Sequence, residues 1–209
     1  GLVPAELCRT RADSMRLGDT ELTALDIAGW RSIRGREISM VFQEPMTALD
    51  PVFTAGQQLS RQFRRHRGHS SAQARDAALE ILGRVGIVET ARVFGSYPHE
   101  LSGGMRQRVV IAMAMACQPR VLVADEPTTA LDVTTQAQVL QQLLDLGKEA
   151  GTGILLITHD LGVVAQYCGR AVVMKEGKAV EEGAVDALFS NPRHDYTKQL
   201  IAAARDVSP

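Results

Sequence analysis

Residues 121–127 read Val-Leu-Val-Ala-Asp-Glu-Pro. A short apolar run bounded by polar residues reads as a buried parallel strand. This one delivers two neighbouring acids to the end of a sheet, the edge at which open α/β folds bind their ligands. There Asp125 is placed to hold Mg²⁺ directly or through water, and Glu126 to orient or deprotonate an attacking water. Taken alone, the pattern is a weak signal, since most such runs end in solvated acids. Residues 101–108, Leu-Ser-Gly-Gly-Met-Arg-Gln-Arg, set Ser102, Gly103 and Gly104 just before an apolar helix expected over 105–116. Backbone N–H groups at a helix start, with no side chains in the way, form an anion site. A serine cap followed by flexible glycines is the structural alternative, and the two readings are even on physics alone.

The elements that must position these residues fall into three stretches. The first, 1–52, holds a strand over 38–43 after an Arg-rich connection, and Pro45 and Pro51 then mark a loop. The second, 53–117, reads as all-helical. Ser70 or Ser71 can cap a helix whose apolar residues Ala74, Ala77, Ala78, Ile81, Leu82 and Val85 recur every three or four positions, with Gly86 ending it. From 118 onward strand and helix alternate: strands at 121–125 and 154–158, both read as buried, with a long helix at 134–149 between them. Two edge strands follow, near 171–175 and 178–182 with Gly177 in the turn, and then two short helices. A helical insert within a strand–helix alternation is an α/β core with a lobe attached.

The order of the segments carries more than any one of them. A strand ending in Gln43 comes first, then Leu-Ser-Gly-Gly, then the Asp-Glu strand with Asp132 in Thr-Thr-Ala-Leu-Asp just after it, and last a strand ending in Thr158-His159-Asp160. Over essentially all 209 residues the chain resembles the ABC-type ATPases, whose Q-loop, signature, Walker B, D-loop and H-loop follow in this order and spacing. The resemblance implies a P-loop NTPase (RecA-like) α/β core over 1–52 and 118–209, with the ABC helical subdomain inserted at 53–117. It also implies ATP and Mg²⁺ as cofactors. Gln43 corresponds to the glutamine that senses Mg²⁺ and the γ-phosphate. Ser102, Gly103 and Gly104 correspond to the signature that binds ATP held by an opposite subunit, with Gln107 among the nucleotide-contacting residues. Asp125 corresponds to the Mg²⁺-binding acid, Glu126 to the catalytic base, Asp132 to the aspartate that communicates across the dimer, and His159 to the γ-phosphate switch.

The wording of 41–51, 97–119 and 124–140 is similar to the importer ATPases for dipeptides, oligopeptides, nickel and glutathione, and nearest to the glutathione branch. Residues 191–200 resemble that group's P-x-H-P-Y-T segment, with Asp195 where its members carry proline. The implied partners are a second ATPase domain, two permease subunits and an extracytoplasmic solute-binding protein. The implied place is the cytoplasmic face of a bacterial inner membrane. A DNA-directed ABC ATPase is disfavoured, because the insert is short and carries neither a long coiled coil nor zinc modules, and a ribosome-directed one because the sequence shows no paired domains with a charged linker. A catalytically inactive subunit offering only its signature half-site is the other alternative.

Composition sets the outer bounds. A formal net charge of −1 and 4% aromatic residues argue against a nucleic-acid surface. The basic cluster Arg61, Arg64, Arg65, His66 and Arg67 reads as a solvated helix face. Cys8, Cys117 and Cys168 are far apart and lack metal-ligand spacing. No apolar run approaches the ~20 residues of a membrane span. A G-x-x-x-x-G-K-[ST] run, whose N–H groups and lysine would hold the β- and γ-phosphates, does not occur in the 209 residues. The expectation is therefore a chain cut just after the helix that such a loop opens. By itself it should hydrolyse ATP poorly or not at all and expose sheet surface that is normally covered.

Overall fold

The computed structural model describes residues 11–43, 48–129 and 131–206. Cys8 and Pro45 lie outside them. The chain divides into two compact units, Gly1–Leu156 and Ile157–Pro209, and each is described by itself.

The first unit opens with a small hairpin, β1 (Arg16–Leu17) and β2 (Thr20–Glu21), followed by helix α1 (Ile27–Ile33), which Asp26 caps. Glu21 ties this entry together. Its carboxylate accepts hydrogen bonds from Ser14 Oγ at 2.6 Å, Thr23 Oγ1 at 2.6 Å and Met15 N at 2.9 Å. These bonds, Ser14's foremost, hold its pKa down at about 2 against an ordinary 4.5. A carboxylate with a depressed folded pKa stabilises fully above its unfolded value, and that contribution is lost as pH falls through the folded one. The thermal midpoints of the native protein and Glu21→Gln should thus differ at neutral pH and converge between pH 4.5 and about 2; a pH-independent difference would refute the clamp.

Strand β3 (Ile38–Val41) pairs in parallel with β4 (Val121–Asp125) in the register Ile38↔Val121 to Val41↔Ala124, and β5 (Gly153–Ile157) lies on the other side of β4. The strand expected over 38–43 stops at Val41, because the ladder with β4 ends there. The expectation of fully buried strands also needs correction. In β4 only Leu122 and Ala124 are wholly buried. In β5, Ile154 and Leu156 pack on the core while Leu155 is 57% exposed, so only one face of that strand is covered.

Between β3 and β4 lies a helical bundle that includes, among the described residues, α2 (Ala55–Arg67), α3 (Ser71–Arg84), α4 (Thr90–Gly95) and α5 (Gly103–Met115). Capping boxes start the first two. Thr54 and Gln57 exchange hydrogen bonds at α2, and Ser70 and Gln73 do so at α3; of the two candidate serines, Ser70 is the cap. The last turn of α2 holds Arg64, Arg65, His66 and Arg67, where positive charge meets the negative end of the helix. Most of this cluster is solvated, but Arg67 donates to the Cys117 carbonyl at 2.7 Å. Where α2 passes α4, a Cβ on Gly56 would lie 2.4 Å from the Phe94 ring. Only glycine permits that approach.

Helix α5 is apolar nearly all round, with Val109, Val110, Ile111, Ala112, Ala114 and Met115 buried. A helix of that kind belongs in the interior. It packs on α2, α3 and β3 and on α6 (Val133–Ala150), the long crossover helix between β4 and β5. One continuous apolar cluster therefore runs from Leu59, Phe63 and Ala78 in the bundle, through α5, to Val41, Leu122 and Ala124 in the sheet.

The second unit holds α7 (Leu161–Tyr167), the antiparallel hairpin β6 (Arg170–Lys175) and β7 (Lys178–Ala184), then α8 (Val185–Ser190) and α9 (Asp195–Asp206). The hairpin turn, Glu176 at φ +50° and Gly177 at φ +76°, has the two left-handed residues that match the strand twist. Glu181 of β7 accepts from the backbone N–H groups of Arg193 and His194 at 2.8 and 3.0 Å, which fixes the start of the Arg-His-Asp-Tyr-Thr segment. Cys117 and Cys168 are free thiols, and burial pushes both above the usual thiol range.

Candidate functional site

The register of two strands far apart in sequence assembles the site. Val41 stands level with Ala124 at the end of the parallel ladder. Two residues beyond each lie Gln43 and Glu126, and Gln43 Nε2 donates to Glu126 Oε2 at 3.0 Å. Thr129 Oγ1 donates to the same oxygen at 2.8 Å. Asp125, the last residue of β4, is half-buried beside them. The predicted base, the predicted sensing glutamine and the predicted metal-binding acid thus meet at one edge of the sheet.

Glu126 has a φ of +43°, which is uncommon for a residue with a side chain, and it precedes Pro127, which restricts it towards extended conformations. Such backbone costs of order 1–3 kcal/mol and persists where the surroundings over-determine it. Here they do. Thr129 N donates to the Glu126 carbonyl at 3.2 Å, closing the turn. From the interior, the Gln107 side-chain amide donates to the Pro127 carbonyl.

Gln107 is therefore placed differently from the expectation that it contacts nucleotide. It is 2% exposed on α5, and its amide is committed to the loop behind Glu126. Its effect on the site runs through that carbonyl. The next residue, Arg108, does a structural job, donating to the Val85 carbonyl at 2.6 Å and to Gln142 of α6. Burial lowers its pKa.

Ser102 caps α5, its hydroxyl accepting from Met105 N at 3.3 Å. Both sequence readings of Ser102, Gly103 and Gly104 are compatible, because the cap leaves the first-turn N–H groups of the two glycines without helical acceptors. A Cβ on Gly103 would meet nothing within 4 Å and one on Gly104 would lie 3.2 Å from Thr135 Cγ2, so the helix end is open to an anion on the Gly103 side. Asp132 caps α6, accepting from Thr135 N at 3.0 Å. That bond, ahead of the others, holds its pKa below the usual range. His159 belongs to the second unit. It is exposed in the turn between β5 and α7, where Asp160 caps α7 by accepting from Gly162 N at 2.8 Å and Val163 N at 3.2 Å.

The residues present fit a nucleotide with a divalent cation. A helix start open to anions suits a phosphate. Asp125 and Gln43 form a sparse oxygen-donor set, and among the described residues no group of three or more His, Cys, Asp or Glu gathers. Mg²⁺ suits such a site, since it takes few protein ligands and fills its shell from phosphate and water.

A profile described as ABC transporter matches residues 5–129. The chain belongs to the ABC transporter ATP-binding family. Among curated relatives, this ABC cassette is 56% identical over 181 residues to a putative peptide import ATP-binding protein of Brucella melitensis, covering 87% of the chain and 54% of that protein. It is 51% identical over 183 residues to the glutathione import ATP-binding protein GsiA of Escherichia coli K12, covering 88% of the chain and 29% of that protein. The chain thus spans about half the length of the peptide-import relatives. Among solved structures, it superposes with a TM-score of 0.72 and 33% identity on a dimeric ATP-binding cassette in a post-hydrolysis state bound to ADP and Pi, covering 81% of this chain and 72% of that one. The fold is accordingly the P-loop NTPase fold of ABC cassettes.

Proposed function

We propose that this cassette supplies ATP-hydrolysing machinery to an importer of peptides or of a related small solute such as glutathione. The contact between Gln43 and Glu126, set by the β3–β4 register, carries the proposal. It puts a carboxylate able to take a proton from water beside an amide able to reach a cation and a phosphate, which is what phosphoryl transfer to water requires. The 51–56% identity to peptide- and glutathione-import proteins supports the solute class.

In this reading Asp125 and Gln43 would hold Mg²⁺, which neutralises developing charge on the phosphates when bound. Glu126 accepts the proton of the attacking water. His159 contacts the γ-phosphate. Ser102, Gly103 and Gly104 present α5's N–H groups to ATP held by a second cassette, and Asp132 faces that partner. The helical stretch 53–117 is the lobe that meets the permeases, set into a core formed by 1–52 and 118–209. No helix among the described residues is long and apolar enough to cross a membrane. The proposed assembly is a dimer of cassettes on two permease subunits, served by an extracytoplasmic solute-binding protein, at the cytoplasmic face of a bacterial inner membrane. Nucleic acid is not among the proposed partners.

Uptake measures this directly. Cells whose protein carries Glu126→Gln should lose import of labelled dipeptides or of glutathione, and unchanged uptake of both would overturn the solute class.

A further inference from the structure

We propose that Thr129 is a positioning residue for Glu126, holding the carboxylate in the orientation from which it meets the attacking water. The proposal rests on the reading of Glu126 as the base.

Thr129 grips Glu126 at two points. Its N–H donates to the Glu126 carbonyl at 3.2 Å and its Oγ1 to Glu126 Oε2 at 2.8 Å. The first bond closes the turn Glu126-Pro127-Thr128-Thr129, and the second orients the side chain that the turn presents. A half-buried glutamate left unbound still samples several rotamers. A hydroxyl donating to a carboxylate makes a charge-assisted bond, stronger than a neutral one. The loop has little slack in which to compensate, because Pro127 is rigid and Gln107 holds its carbonyl from inside. The two adjacent threonines divide the work: Thr128 is 8% exposed and faces the interior, whereas Thr129 is exposed beside the acid.

Another donor to Oε2, Gln43, lies just beyond β3 and 83 residues away in sequence. In the proposed reaction it turns towards the cation and the γ-phosphate. Thr129 is bound to Glu126 within a single turn, so it stays with the carboxylate when Gln43 leaves.

The test compares Thr129→Val and Thr129→Ser, with Glu126→Gln as reference, in the complete assembled protein, by steady-state ATP hydrolysis and thermal melting. Valine keeps the branched shape and loses the hydroxyl; serine keeps the hydroxyl. Thr129→Val should lower kcat by about tenfold, since misorientation of a reacting group is costly, with KM for ATP and the melting midpoint held. Thr129→Ser should recover most of the rate. Native kcat in Thr129→Val beside an inactive Glu126→Gln would overturn the role of Thr129 while leaving Glu126 as the base. Equal losses in the valine and serine variants would overturn it too, by showing that shape and not the hydroxyl matters. An active Glu126→Gln would remove the parent reading and the proposal with it.

Discussion

Glu126→Gln is expected to slow ATP hydrolysis by roughly 10²–10⁴-fold, the usual contribution of a positioned general base, while nucleotide binding persists. The substitution is nearly isosteric. The new amide oxygen can still accept from Gln43 Nε2 and Thr129 Oγ1, now at 3.0 and 2.8 Å from the carboxylate, so the loop geometry should survive. What is lost is the capacity to take a proton from water. The measurement pairs single-turnover hydrolysis with equilibrium binding of Mg-ATP, both in the complete protein. Retained binding with a collapsed rate identifies proton abstraction as the missing step. A rate within a few-fold of native would show that Glu126 is not the base and that the register pairing with Gln43 serves structure alone.

Gly56→Ala should be among the most destabilising single-methyl additions in the bundle. The added Cβ would fall 2.4–2.5 Å from Cγ, Cδ1 and Cδ2 of Phe94. These atoms lie near the root of the ring, where a change of rotamer clears little space. The ring is also held in place, with Arg75 stacked over it at 5.7 Å. Relief therefore requires α2 and α4 to part, and overpacking of this kind costs about 1–3 kcal/mol. For a chain of this size that lowers the melting midpoint by roughly 2–12 °C. Scanning calorimetry of the single variant and of Gly56→Ala with Phe94→Leu provides the check. The smaller side chain should restore part of the loss, and strict additivity of the two substitutions would refute the contact.

The two predictions differ in how far the sequence foreshadows them. Asp125 and Glu126 stand out because an apolar run ends in two acids, and the order of the surrounding segments assigns them a chemistry. The periodicity of Ala74, Ala78, Ile81 and Leu82 likewise shows α3 and its buried face. Gly56 carries no such mark, since a glycine within a helical pattern reveals nothing about which ring lies across from it. Nor does Thr-Thr at 128–129 say which hydroxyl reaches the acid; the left-handed φ of Glu126 decides that, and it is a property of the folded turn. Gln107 shows the opposite failure. Its place in a motif suggests contact with ligand, whereas packing of α5 turns its amide inward to Pro127. The exposed face of β5 also escapes the sequence, because an apolar run looks the same whether one face or two are covered.

The apolar cluster that joins the bundle to the sheet through α5 bears on how defects are felt. Because that cluster is continuous, the bundle and the sheet should gain and lose their order together. A substitution deep in the bundle then costs turnover without touching a nucleotide contact: it shortens the time that Gln43 and Glu126 spend side by side. Inherited or engineered damage at positions such as Gly56 would look, in an activity assay alone, like an injury to the catalytic edge.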